Sequence, residues 1–261
     1  VPILHHNGAD LFYAVAGSGP ALIFAHGLGG NHLSWWQQVP AFSARYTCVT
    51  FAHRGFAPST DAPDGPGPRA FADDLAALLD HLGLGDVRLV AQSMGGWTCL
   101  DYAVRHPDRV RGLVLACTVG SLATPEIDRL FAGGAGGESD LAARGIHPAC
   151  GERMAREQPA LHHLYRQIDG LSFALDKGRA RAELMRLRAT PAEALTALRF
   201  PVLCLSGAED IVIPTAAVER AATLFPHGRF VRVPEAGHSV YFERPAQFNA
   251  IIEQFLSDLP A

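Results

Sequence analysis

A chain of 261 residues with 48% apolar and 18% charged residues can bury a sizeable core and is too apolar for disorder. Its net charge of −4 offers no basic footprint for a polyanion, which argues against nucleic acid as a partner. No apolar run approaches the roughly 20 residues that span a bilayer, so no membrane segment is expected. In chain order, short apolar runs predict strands over 21–25, 46–51, 87–91, 110–119, 202–205 and 230–233. They lack alternation, as strands buried on both faces do. Phe71, Leu75, Leu78, Leu79 and Leu82 recur at helical spacing and form one apolar stripe. Pro107 closes the helix that follows Ser93, and another helical run begins near Pro245. Alternating strand and helix make the fold class α/β with a mostly parallel sheet.

Residues 121–199 break this rhythm. A glycine-rich stretch at 133–137 is expected to be flexible, and helical patterns follow at 154–158, 161–168 and 180–187. With 11 basic and 10 acidic residues, the segment is near neutral. It reads as a helical cap inserted into one core made of residues 1–120 and 200–261. The 63–68 tract, rich in Pro and Gly, reads as a surface loop. Five cysteines, odd in number and without a C-x-x-C pair, argue against a zinc knuckle or redox motif. Cys48, Cys117 and Cys204 sit in strand-like runs as small hydrophobes. The expectation is a reduced, cytoplasmic chain, although the first residue is Val1 and an N-terminal signal could have been removed.

The most specific motif is Ala91-Gln92-Ser93-Met94-Gly95-Gly96 at the junction of a predicted strand and helix. Small residues two before and two after Ser93 suit a nucleophile elbow, the tight turn that lifts a serine hydroxyl clear of the backbone. The bland alternative is a helix cap. The helix start beyond Ser93 also offers free N–H groups to a developing negative charge. His238 follows the last strand in a Gly-containing loop, and Asp210 follows the strand before it. The order Ser93, Asp210, His238 matches that of one triad class. Glu209 and Glu126 are rival acids.

With these residues the chain resembles the α/β-hydrolase superfamily over nearly its whole length. His26-Gly27-Leu28-Gly29-Gly30 is similar to the family's His-Gly motif, and Arg54-Gly55-Phe56-Ala57-Pro58-Ser59 to its arginine-glycine loop. Pro214 and Pro245 stand where the family has proline after the acid and after the histidine. The segment 26–39 together with the elbow is most similar to 3-oxoadipate enol-lactonases and small carboxylesterases. Ala52 replaces the Asp that the family often has before x-Arg-Gly, and Ala57 replaces a later Gly.

The resemblance implies Ser93 as nucleophile, His238 as base, Asp210 as its partner, and an oxyanion hole from the backbone N–H groups of Leu28 and Met94. A serine in place of a carboxylate disfavours dehalogenase and epoxide hydrolase chemistry. The expected function is cofactor-independent hydrolysis of small, fairly apolar esters or lactones, with no metal. Rival readings are hydrolysis of a C–C bond in dienoic diketones, acyl transfer to an alcohol, and a ligand-binding fold with little turnover. Trp35, Trp36 and Trp97 are candidate pocket walls, with core packing as the alternative. His26 is expected to hold its loop, His162-His163 to be solvated, and Arg181, Arg186 and Arg188 to form a solvated helix face unless the insertion folds over the site. Gly17-Ser18-Gly19-Pro20 reads as a turn rather than a phosphate loop. Oligomeric state is not legible in the sequence.

Overall fold

The computed structural model describes residues 2–132 and 138–260. Eight strands form one sheet in the order β1-β2-β4-β3-β5-β6-β7-β8. They are β1 Ile3–His6, β2 Ala9–Ala16, β3 Ala21–Ala25, β4 Thr47–Phe51, β5 Val87–Gln92, β6 Val110–Ala116, β7 Val202–Gly207 and β8 Gly228–Val233. From β4 to β8 all neighbours are parallel, whereas β2 pairs antiparallel with both β1 and β4. β1 is the edge strand, and β2, between β1 and β4, alternates buried and half-buried residues over 9–14.

Side chains alternate across the sheet and build two cores. Ile23 and Leu89 face one side, with Leu75, Leu78 and Leu79 of the helix Phe71–His81 and Leu100 and Tyr102 of the helix Gly95–Arg105. Leu22, Phe24 and Val90 face the other, with Phe248, Ile252 and Phe255 of the helix Pro245–Ser257. Beyond β4, the buried Arg54 ties the sheet to its flanking helix: Nε and Nη2 donate to Asp74 at 2.6 and 2.5 Å, and Nη1 to Asp61 at 3.0 Å. The 63–68 tract leads into a single 3-10 turn, Gly67–Ala70.

Between β6 and β7 the described residues are helical: Pro125–Ala132, Glu138–Ala143, Gly151–Glu157, Pro159–Gly170 and Lys177–Arg186, then a 3-10 turn. The 133–137 stretch lies outside the described residues. Among those described, no helix is long and apolar enough to cross a membrane. β3 and β5 are neighbours, yet β4 lies on the far side of β3, so the strand order reverses there. A crevice at the carboxyl ends of the strands around such a reversal is where open α/β sheets bind ligands.

Candidate active site

β5 delivers Ser93 to that edge, and the chain turns at once into the helix Gly95–Arg105. Ser93 has φ 49°, a left-handed conformation that a residue with a side chain adopts only under constraint. Its N–H donates to the Ala116 carbonyl at 3.0 Å, and its carbonyl accepts from the Gly96 N–H at 2.9 Å. Close packing explains the two glycines. A methyl on Gly95 would come within 2.3 Å of the Ala25 carbonyl oxygen, and one on Gly96 within 2.5 Å of Thr118 Oγ1.

The loops after β7 and β8 carry Asp210 and His238 to the same edge. Asp210 Oδ1 accepts from the N–H groups of Val212 and Ile213 at 2.9 and 3.0 Å. Its Oδ2 lies 2.9 Å from His238 Nδ1. A carboxylate can only accept, so Nδ1 carries a proton, and in the neutral ring Nε2 is the nitrogen with the lone pair. Ser93 and His238 line one cavity of about 380 Å³. The rival acids are spent elsewhere: Glu209 pairs with Arg153 and Glu126 with Arg220, each at 2.6 Å on the surface.

The strand expected over 110–119 stops at Ala116, because Cys117 turns to φ 52°. The bend sets its thiol beside the Asp210–His238 pair, with one donor atom of each residue within 4.8 Å of the others. Sulfur, oxygen and nitrogen so grouped could hold a metal. The Asp210 oxygens already accept three hydrogen bonds, however, and burial pushes the Cys117 thiol well up, keeping its proton. The trio suits a hydrogen-bonded pair better than a metal cage.

Leu28 and Met94 line the cavity beside Ser93. The Leu28 loop hangs from two buried imidazoles. His26 Nδ1 donates to the Gly27 carbonyl at 2.7 Å, so its Nε2 is the acceptor for both the N–H and the Nδ1–H of His53. His53 Nε2 then accepts from Thr98 Oγ1 at 2.8 Å. Burial lowers both rings, His26 to about 3.

Of the three tryptophans, only Trp97 lines the cavity, where its Nε1 donates to the Leu184 carbonyl of the insertion at 2.9 Å. Trp35 and Trp36 are not pocket walls. The 3-10 turn His32–Trp35 buries Trp35 against Phe24, Tyr241 and Phe248 and leaves Trp36 exposed against Phe242. From the expected solvated face, Arg181 reaches the cavity, whereas Arg186 pairs with Glu183 and Arg188 with Asp128. His162 is not simply solvated: its Nε2 accepts from the His147 N–H at 3.1 Å.

Further groups in and behind the cavity wall were given no role by the sequence. Lys177 donates to Asp169 Oδ1 at 2.6 Å on the insertion side. Burial raises the Asp169 carboxyl, but hydrogen bonds from His147 and Lys177 outweigh it and hold it below its ordinary range. Tyr165 accepts from Ser239 Oγ at 3.2 Å. Gln92 Nε2 donates to the His238 carbonyl at 3.2 Å, and buried Glu243 accepts from the Gly237 and Ser239 N–H groups at 2.8 and 3.0 Å. Burial pushes the Glu243 carboxyl up to about 7.

Comparison with known proteins agrees with this architecture. The family model of the alpha/beta hydrolase fold matches residues 20–144. A Caulobacter sp. (strain K31) protein with the provisional name carbamate hydrolase RutD is 30% identical, covering 95% of this chain and 96% of its own. A 2-(acetamidomethylene)succinate hydrolase of Mesorhizobium japonicum is 29% identical over 86% of this chain and 83% of its own. Among solved structures, a thermophilic esterase from Thermogutta terrifontis superposes with a TM-score of 0.79 at 29% identity, covering 95% of this chain and 93% of that one. With the strand order, the serine turn and these relatives in agreement, the chain belongs to the alpha/beta hydrolase fold family.

Proposed function

We propose that this chain is a cofactor-independent serine hydrolase that cleaves carboxylic esters or lactones of small, fairly apolar substrates. The observation that carries the reading is Ser93, held at φ 49° on a strand-to-helix turn, opening on the same cavity as a His238 whose Nδ1–H is committed to Asp210. In this mechanism His238 Nε2 takes the Ser93 proton as Oγ attacks the substrate carbonyl. Asp210 stabilises the imidazolium that forms. The backbone N–H groups of Leu28 and Met94 receive the oxyanion, each such donor typically contributing about 10²–10³ in rate. Collapse breaks the ester C–O bond, the departing alkoxide takes the proton from His238, and the acyl group stays on Ser93. Water then attacks the acyl carbon as His238 takes its proton, the bond to Ser93 Oγ breaks, Oγ takes that proton back, and the acid is released.

Leu28, Met94, Trp97, Leu184, Val212 and Ile213 give the cavity its apolar walls, which favours short hydrocarbon acyl or alcohol groups. The relatives named as an esterase and as hydrolases support bond cleavage by water. The test is turnover of p-nitrophenyl esters of increasing acyl length, with short lactones alongside. Wild type should turn over, should react once per chain with a serine-directed organophosphonate, and should lose at least about 10⁴-fold in kcat on Ser93→Ala. Equal rates in both proteins would overturn the ester and lactone reading.

A further inference from the structure

His238 lies in the irregular segment 234–239, not on a strand or helix. Two side chains outside the Ser93–His238–Asp210 set hold that segment by its backbone. Glu243, on the short helix Val240–Glu243, is 2% exposed and turns its carboxylate back on the loop. Oε2 accepts from Gly237 N–H and Oε1 from Ser239 N–H, so the N–H groups of the residues on either side of His238 are anchored. From the nucleophile side, Gln92 donates to the His238 carbonyl. The same amide packs on the loop of Leu28: a methyl on Gly27 would fall within 2.1 Å of Gln92 Oε1.

The chemistry of Glu243 suggests more than space filling. A buried carboxylate without a cation partner costs stability, and Glu243 is held instead by two backbone N–H donors. The titratable groups against it are His238, Asp210, Cys117, Cys150 and Tyr241. Only a carboxylate accepts at both oxygens; an amide would turn its NH₂ toward one of the two N–H groups.

We propose that Glu243 and Gln92 are positioning residues that clamp the His238 backbone from two sides and lock it to the serine turn and the Leu28 loop. The proposal rests on His238 serving as the base for Ser93. Each variant, Glu243→Gln and Gln92→Met, keeps side-chain volume while removing part of the clamp. Both should lower kcat on p-nitrophenyl butyrate by about 10–100-fold while KM stays within about twofold, as expected when a catalytic group is misplaced by a fraction of an ångström. The double variant should lose less than the product of the two, because both act on one loop. With Glu243 titrating near 7, the acidic side of the wild-type rate profile should contain a component that Glu243→Gln lacks.

Wild-type kcat in both variants, or losses that appear in KM alone, would overturn the clamp. If Glu243→Gln fails to fold, Gln92→Met carries the test. A wild type that neither turns over esters nor reacts with the organophosphonate would defeat the hydrolase reading instead. In that event the clamp is read in the NMR signal of the His238 Nδ1 proton, which should exchange with water faster in either variant; an unchanged signal in both would refute it.

Discussion

The two walls of the cavity are built differently. On the strand side, the helix Gly95–Arg105 buries eight of its 11 residues and lies against the sheet, so the serine turn inherits the rigidity of the core. On the insertion side, the ten-residue helix Lys177–Arg186 buries only Ala180 and Leu184, and the nearby Phe173 is 90% exposed. Elements with little burial open at low free-energy cost, whereas core elements open only with the whole fold. Under the proposed function, the difference would separate reaction from selection, with the reacting groups at strand ends and the substrate-facing groups on less buried helices.

The largest effect should come from breaking the strand side. Arg54→Met would leave Asp74 buried without its cation and cost about 3–5 kcal/mol, read as a lowered urea midpoint; a loss below 1 kcal/mol would show that the insertion and not this tie limits stability. Next comes the pH response of Glu243. Its carboxyl titrates at about 7 in the folded chain against an ordinary 4.5. Between those values the folded chain holds a proton that the unfolded chain has released. The stabilisation is therefore complete below 4.5 and is lost as pH rises through 7, about 3 kcal/mol in all. Urea titrations of wild type and Glu243→Gln across that window should show this amount in their difference.

Two smaller effects probe the insertion. Trp97→Phe removes the hydrogen bond to Leu184, worth about 1 kcal/mol, and should raise amide exchange across 177–186 roughly fivefold with β5 and β6 unchanged. Exchange rising equally in the strands would erase the distinction between the walls. Lys177→Met should change stability by less than about 1 kcal/mol and act on KM more than on kcat, since Lys177 faces the cavity from the insertion and donates to Asp169 there.

What could be read in advance follows the same division. Strands buried on both faces announce themselves as apolar runs, and the elbow motif has few other uses, so the parallel sheet and the turn at Ser93 were legible. β1 was not, because an edge strand of four residues carries polar side chains, and β2 was missed despite its apolar run Leu11-Phe12-Tyr13-Ala14-Val15-Ala16 and the Asn7-Gly8 turn before it, a hairpin signal at φ 45° and 75°. Trp35 and Trp36 are neighbours in sequence with opposite fates, decided by a 3-10 turn that no periodicity reveals. Glu243 and Gln92 bond to backbone groups, which leave no mark on residue identity.

The paired imidazoles under the Leu28 loop carry one further consequence. Of the 12 histidines in the chain, His26 and His53 have been withdrawn from acid–base exchange: desolvation bars a second proton, and the partners around each ring assign the first to a single nitrogen. They behave as fixed dipoles, a rigid polar strut from Thr98 on the helix to the Gly27 carbonyl. The shape of that loop is thereby insulated from the same mild acid that would protonate an ordinary histidine.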